Sequence, residues 1–221
     1  MTALAVDHLV VAARTLDEGA DWCEATLGIA PLAGGRHALM GTHNRVVSIA
    51  TPAFPKAYLE IIAVDPQAPP PGRSRWFDLD DPALAAALAA GPALVAWVAR
   101  CEAIESACAP LAALGVDPGR VLDAERDTPA GRLRWRIAVP DDGARRFGGA
   151  LPTLIEWRGA HPADTMPACG VTLASFGVAG PEPLARALDA LQAPLHARPG
   201  VPALAATLDT PRGAVTLRSP T

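Results

Sequence analysis

The chain has 221 residues, half of them apolar, and a formal net charge of −4 at pH 7. This composition predicts a globular protein rather than a disordered one. The acidic balance and the lack of a Lys/Arg cluster argue against nucleic acid as a partner. The chain begins without a basic leader, and no apolar run approaches the roughly 20 residues that span a bilayer. We therefore expect a cytoplasmic protein with no membrane partner.

The first part of the chain predicts a β-α-β-β-β unit over residues 1–66. Residues 3–13 form an apolar run typical of a buried strand. Thr15 and Glu18 have capping-box spacing and predict a helix start, and Gly28 is a typical helix end. Gly34 and Gly35 predict a turn. Three further strands are expected over residues 36–40, 45–51 and 57–64.

The remainder divides into three more segments. Residues 67–92 are a Pro- and Gly-rich connector with a short helix that begins at Asp81 and Pro82. Residues 93–160 repeat the β-α-β-β-β order, with a short second strand at Val121 and Leu122, a turn over 127–131 and an alternating strand over 132–137. Residues 168–221 predict a shorter C-terminal βαββ unit. We expect all four segments to form one compact domain.

Two polar side chains interrupt apolar strands of the first unit. His8 lies within the first strand, and Glu60 lies in the fourth, with Tyr58 and Ile62 on its own face and Leu59 and Ile61 on the other. Buried imidazole and carboxylate groups need partners. A bonded core histidine and a Glu–Arg ion pair are the structural explanations. On neighbouring strands, however, the two side chains also supply half of a divalent-metal site.

The repeated units with His8 and Glu60 resemble the vicinal oxygen chelate superfamily, which includes glyoxalase I, extradiol dioxygenases and bleomycin-resistance proteins. Residues 7–11, 41–45 and 58–62 resemble more narrowly the bacterial glyoxalase-like domain family. The resemblance covers most of residues 4–158. It implies an α+β fold in which paired βαβββ modules form curved mixed sheets around a site.

The resemblance also implies metal ligands on the first and last strands of each unit. His8, Glu60 and Glu156 match three of these positions, while the fourth position holds Ala96 or Trp97, which cannot bind a metal. A four-ligand glyoxalase I site is therefore absent, and glyoxalase I activity itself is not expected. A three-ligand set of one imidazole and two carboxylates favours Mn²⁺, Fe²⁺, Zn²⁺ or Mg²⁺. Glu156 is explained equally well by a salt bridge to Arg158 or to an arginine of the 132–137 strand.

Further site residues are expected around this centre. His43 is the candidate catalytic residue for proton transfer. The candidate substrate-binding residues are Thr42, Asn44, Arg75, Trp76, Trp97 and Arg134. Residues 42–44 are equally typical of a polar turn, and Arg75 and Trp76 of an aromatic plug. His161 and His196 lie in Pro-rich loops and are expected at the surface.

Two functions from different classes follow. The first is a divalent-metal-dependent isomerase, lyase or dioxygenase that acts on a small oxygenated molecule. The alternative is a metal-free protein of the bleomycin-resistance type that binds a small molecule between tryptophan side chains. A degenerate module retained for dimerisation is a third interpretation. A homodimer is compatible with the sequence, although two units in one chain can form the site internally.

Overall fold

A computed structural model describes residues 4–128 and 131–220. This part of the chain forms twelve strands and four α-helices, together with short 3₁₀ turns. The helices are α1 (Leu16–Leu27), α2 (Pro82–Ala87), α3 (Ile104–Ala113) and α4 (Glu182–Ala190). The strands are β1 (Ala5–Ala12), β2 (Leu32–His37), β3 (Thr42–Ser48), β4 (Tyr58–Val64), β5 (Ala93–Arg100), β6 (Arg120–Thr128), β7 (Gly131–Val139), β8 (Thr153–Trp157), β9 (Thr172–Gly180), β10 (Ala197–Pro199), β11 (Ala203–Thr210) and β12 (Gly213–Arg218).

The first two units share one eight-stranded mixed sheet. Its strand order is β2-β3-β4-β1-β5-β8-β7-β6, so the units join through the antiparallel pair β1 and β5. Within each unit the first strand is parallel to the last, β1 to β4 and β5 to β8. The sheet curves until its two outer parts meet, where Arg126 of β6 donates a hydrogen bond to Asn44 of β3 at 3.3 Å. The α+β fold of paired βαβββ modules is confirmed.

The two faces of this sheet have different partners. On the helix face, residues such as Leu9, Leu59 and Trp97 pack with α1, α3 and the second sheet. On the pocket face, residues such as Val10, Ile62 and Trp135 pack with the segment that contains Trp76 and with α2. Because both faces are covered, β1 and β5 are buried along almost their whole length.

Local signals fix the ends of several elements. Thr15 accepts a hydrogen bond from the backbone N–H of Glu18 at 3.1 Å, and Gly28 ends α1 in the left-handed conformation (φ 78°). Gly41 (φ 58°) makes the tight turn between β2 and β3. The connector helix α2 begins as expected, since Asp81 accepts from the N–H of Ala83.

The C-terminal unit forms a separate four-stranded sheet with the order β10-β9-β11-β12. The unit contains one strand more than expected, because the three residues of β10 pair in parallel with β9. This sheet packs on the helix face through Phe176, whose ring lies edge-on to Trp97 at 5.5 Å.

The sequence misplaced several strand boundaries. Gly34 and Gly35 lie inside β2, at a register shift opposite β3, rather than in a turn. The expected two-residue strand at Val121 and Leu122 extends over the nine residues of β6. Residues 129 and 130 of the predicted turn, and residue 3 of the predicted first strand, lie outside the described residues.

Candidate functional site

A β-bulge in β1 places two polar side chains together at the start of the site. Val6 pairs with Ala99 and His8 with Val98, so Asp7 is an extra residue in the ladder. Asp7 is fully buried, and its Oδ1 lies 2.6 Å from His8 Nδ1. The bulge therefore brings a carboxylate and an imidazole from adjacent positions into direct contact.

Trp157 at the end of β8 and His161 in the loop after it complete the surroundings of Asp7. His161 Nε2 lies 2.9 Å from Asp7 Oδ2, and the indole N–H of Trp157 donates to the same oxygen at 3.0 Å. His161 Nδ1 accepts from the N–H of Ala163, so its Nε2 carries the proton. Burial alone would raise the pKa of Asp7, but hydrogen bonds from His161 and His8 hold that pKa well below its ordinary value. Asp7 is thus a carboxylate and fixes the orientation of both imidazoles.

The other ring nitrogen of His8 faces β4. His8 Nε2 lies 3.6 Å from Glu60 Oε2, and the Tyr58 ring stacks on the imidazole with 4.6 Å between ring centroids. Glu60 is buried on the pocket face, and Leu59 and Ile61 lie on the helix face as the sequence predicts. Because Nδ1 donates to Asp7, Nε2 of a neutral His8 presents its lone pair towards Glu60.

The second oxygen of Glu60 lies against β2 and β3. The Asn44 amide donates to Glu60 Oε1 at 2.5 Å, and His37 Nε2 lies 3.9 Å from the same oxygen. His37 Nδ1 is 3.1 Å from the Thr42 hydroxyl. Burial lowers the pKa of His37 to about 4, so this imidazole is neutral at pH 7. The imidazoles of His8 and His37 therefore flank the Glu60 carboxylate.

The second unit lines the same inner cavity with apolar side chains. Trp135 and Ile137 of β7 and Ile155 and Trp157 of β8 form this wall. Trp76, which lies in the connector, is buried and is edge-on to His37 at 5.1 Å between ring centroids. These side chains cover the polar groups of the first unit on the pocket face.

A larger outer cavity of about 410 Å³ adjoins the inner one, and Arg126 lines both. Its wall is largely apolar and lies between the strand edges β2 and β6 and the loop after β8. The volume is within the usual range for small-molecule sites. The arrangement is an apolar entrance above a buried polar cluster.

Glu156 lies on the opposite face of the sheet from His8 and Glu60, so the three-ligand set expected from the sequence is not assembled. Its Oε2 accepts from the N–H of Ile104 at the start of α3 at 2.9 Å, and its Oε1 lies 2.7 Å from Arg158 Nε. Strand alternation explains the error, because Ile155 and Trp157 occupy the pocket face. The salt-bridge alternative describes Glu156 correctly.

The same alternation removes three other expected residues from the site. His43 faces away from Thr42 and Asn44, and burial lowers its pKa. Trp97 lies in the helix-face core and donates its indole N–H to the Ala150 carbonyl. Arg134 is exposed and pairs with Glu125. The structure brings none of the three near Glu60, so it contradicts their placement at the pocket.

Of the remaining expected residues, Asn44 and Trp76 line the inner cavity, and Thr42 lies behind His37. Arg75 pairs with Asp80 and does not reach the cavity. His196 is exposed as expected, whereas His161 is buried against Asp7, which corrects its assignment to the surface.

The second unit has no counterpart of the His8–Glu60 pair. His8 precedes the start of α1 by eight residues, and Ala96 precedes the start of α3 by the same number. Ala96 lies on the pocket face, so it occupies the equivalent position instead of Trp97. Val10 pairs with Glu60, and the equivalent Val98 pairs with Thr153. The second unit therefore has Ala96 at the position equivalent to His8 and Thr153 at the position equivalent to Glu60, and it offers no imidazole or carboxylate to a cation.

Sequence reasoning missed four residues of the site, namely Asp7, His37, Arg126 and His161. Asp7 carried a usable signal, since a charged residue in a buried strand needs a partner as much as His8 does. Arg126 also carried a signal in the sequence. It alternates with acidic residues and therefore shares a strand face with apolar ones, since Leu122, Ala124 and Arg126 alternate with Asp123, Glu125 and Asp127. Nothing in the sequence marks His161, whose contact with Asp7 spans most of the chain.

The donors around Glu60 suit a divalent cation in their chemistry. His8 Nε2, His37 Nε2 and the Glu60 carboxylate converge, and the Asp7 contact on His8 is the kind that orients a metal-binding imidazole. Within residues 4–128 and 131–220, no group of three or more His, Cys, Asp or Glu side chains already has metal-binding geometry. The donors would have to move closer to bind a cation.

Comparisons with known proteins agree with the fold. The sequence matches the glyoxalase-like domain family over residues 6–195, and a search of curated proteins finds no significant match. A hypothetical protein from Staphylococcus aureus is similar in structure, with a TM-score of 0.57 and 14% identity over 97% of this chain and 85% of that chain.

Two methylmalonyl-CoA epimerases give weaker similarity. The enzyme from Streptomyces coelicolor gives a TM-score of 0.44 at 19% identity, over 72% of this chain and 99% of its own. The enzyme from Mycobacterium tuberculosis gives a TM-score of 0.41 at 19% identity, over 72% of this chain and 92% of its own.

None of the α-helices in the described ranges has the length and apolarity required to cross a membrane. Because the family model matches residues 6–195, this chain belongs to the glyoxalase-like domain family.

Proposed function

We propose that the protein is an enzyme that acts on a small oxygenated molecule at the Asp7–His8–Glu60 cluster, with a divalent cation held by His8 and Glu60. One observation carries this proposal: Asp7 fixes His8 through Nδ1 at 2.6 Å, and His8 Nε2 faces Glu60 at 3.6 Å, in a buried position. Burying an imidazole and two carboxylates costs desolvation free energy unless the groups are paired with each other or with a cation. His37 is the candidate third ligand.

The residues of the chain have separate roles in this proposal. Asp7 fixes the ring and proton position of His8, and Asn44 orients the carboxylate of Glu60. A cation bound there would polarise a carbonyl or stabilise an enolate of the substrate. The Glu60 carboxylate has further lone pairs and is the group within reach to accept a proton, whereas His37, which is neutral at pH 7, would use its Nε2 lone pair for the cation. The aromatic wall of the second unit keeps water away from these groups.

The second candidate is a metal-free small-molecule binding protein. The equivalent positions Ala96 and Thr153 favour it, because they offer no ligand from the second unit. The tryptophans of the inner cavity would then stack on a planar ligand. The two candidates differ in whether binding requires a cation.

Metal analysis separates these candidates. The protein is purified without chelators, its metal content is measured, and Mn²⁺ and Zn²⁺ are titrated by calorimetry into the apoprotein. We expect one cation per chain, and His8→Ala or Glu60→Gln should weaken its binding at least about tenfold. Glu156→Gln is the matched control and should bind the cation as the wild type does. Unchanged metal binding in both His8→Ala and Glu60→Gln would exclude the metal-dependent enzyme.

A further inference from the structure

Arg126 projects from the second unit towards the polar cluster of the first. It lies on β6, at the edge of the sheet, and its Nη1 donates to Asn44 Oδ1 at 3.3 Å. Asn44 Oδ1 also accepts from the N–H of Gly35, and its amide nitrogen donates to Glu60. The guanidinium is therefore one side chain away from Glu60 and lies where the inner and outer cavities meet.

Arg126 has no carboxylate partner within ion-pair distance among the residues that the structure describes. Its acidic neighbours on β6 point to the other side of the strand. There Glu125 pairs with Arg132 and Arg134, and Asp127 pairs with Arg132. Strand alternation thus places the paired charges on the outside of the sheet and leaves the half-buried guanidinium of Arg126 at the junction of the two cavities.

The other charged groups of the outer cavity already have partners. Asp164 forms an ion pair with Lys56 at 2.6 Å, and His161 is bonded to Asp7. The remaining wall is largely apolar and includes Val46, Leu133 and Met166. A ligand in this cavity therefore meets one positive charge at the inner end and apolar surface elsewhere.

We propose that Arg126 binds the carboxylate of the substrate, and that the substrate class is small monocarboxylic acids with an apolar body. The guanidinium presents paired donors that match a carboxylate, whereas the apolar wall holds the hydrocarbon part in about 410 Å³. The inference deepens the proposed function and rests on it, since the carboxylate would then lie at the junction of the two cavities, next to the polar cluster that contains His8 and Glu60.

The test compares carboxylates with their neutral analogues. Hexanoate, octanoate and 3-phenylpropanoate are each paired with the corresponding primary amide, and binding is measured by calorimetry and by tryptophan fluorescence. We expect the wild type to bind at least one carboxylate about tenfold or more tightly than its amide. Arg126→Met should remove this preference and leave amide binding unchanged. Arg134→Met, a change in an exposed arginine on the other side of the sheet, should behave as the wild type.

The same titrations keep this inference separate from the proposed function. His8→Ala and Glu60→Gln should retain the preference for carboxylates, because Arg126 remains in place. Carboxylate selectivity in these variants together with unchanged metal content would exclude the metal-dependent enzyme and leave the Arg126 assignment intact. Equal carboxylate affinity in wild type and Arg126→Met, or no binding of any carboxylate at 10 mM (roughly the weakest affinity of interest), would overturn the assignment.

Discussion

The two βαβββ units of this protein have the same strand order but line the pocket with different chemistry. The first unit supplies His8, His37, Asn44 and Glu60, all buried and connected through hydrogen bonds or close contacts. In the second unit, the wall residues Trp135, Ile137, Ile155 and Trp157 are aromatic or aliphatic. The fold is repeated, but the polar cluster is not.

This difference shows how one repeat can specialise without disturbing the other. Buried polar groups need partners, and in the first unit they obtain them from neighbouring strands and from the bulge at Asp7. The second unit contributes individual groups across the cavity, namely the Trp157 indole to Asp7 and Arg126 to Asn44. A cation would therefore be bound by the first unit and enclosed by the second.

The largest effect is expected from Asp7→Ala, which removes the acceptor shared by His8, His161 and Trp157. Two buried imidazoles and the part-buried indole then lose their acceptor, and the free energy of unfolding should fall by about 3 kcal/mol. Ile155→Val, which removes one methylene from the apolar wall, should cost about 1 kcal/mol. Urea denaturation at pH 7 measures both changes. Equal costs would contradict the distinction between a polar network and a packed wall.

A smaller effect is expected from pH, through His37. Burial lowers the pKa of His37 in the folded protein to about 4, whereas an unfolded histidine titrates near 6.5. Between these values the unfolded state binds more protons, so stability falls as the pH drops from about 6.5 towards 4. Between pH 7 and pH 4.5 the loss should be about 2 kcal/mol in protein treated with chelator.

The control for this effect is the exposed His196. His37→Gln should remove most of the acid dependence above pH 4, and His196→Gln should leave it unchanged, in urea titrations at pH 4.5 and 7. The low pKa of Asp7 acts in the same direction only below about pH 4, so the two windows are distinct. An acid dependence that persists in His37→Gln would assign the titration to another group.

Most of the fold was accessible from local patterns in the sequence. Apolar periodicity, the capping residue Thr15 and the helix end at Gly28 fix the order of elements and hence the repeat. The patterns failed where pairing overrides composition. Gly34 and Gly35 are typical of a turn but lie at a register shift inside β2. The charged residues of β6 obscured a nine-residue strand.

The candidate site was less accessible, because it depends on which face of a strand each side chain occupies. His8 and Glu60 were identified correctly as a pair, since both interrupt buried runs. His43 and Glu156 are each one residue from a pocket-facing position, and a shift of one residue reverses the face. The link between Asp7 and His161 is a tertiary contact that no local pattern encodes.

The smallest effect is expected from Glu156→Gln, and it tests whether the two buried glutamates have different roles. The N-cap residue of α3, Ala103, has no polar side chain that could accept a hydrogen bond. Glu156 of β8 supplies the missing acceptor, because the Ile104 N–H at the start of α3 donates to it. Glutamine keeps an acceptor oxygen but loses the charge facing Arg158 and the helix N-terminus, so we expect a loss of about 1 kcal/mol in stability. Glu60→Gln should instead weaken cation binding. Parallel urea and calorimetric titrations of the two variants separate these outcomes, and a loss of cation affinity in Glu156→Gln would place Glu156 back among the site residues.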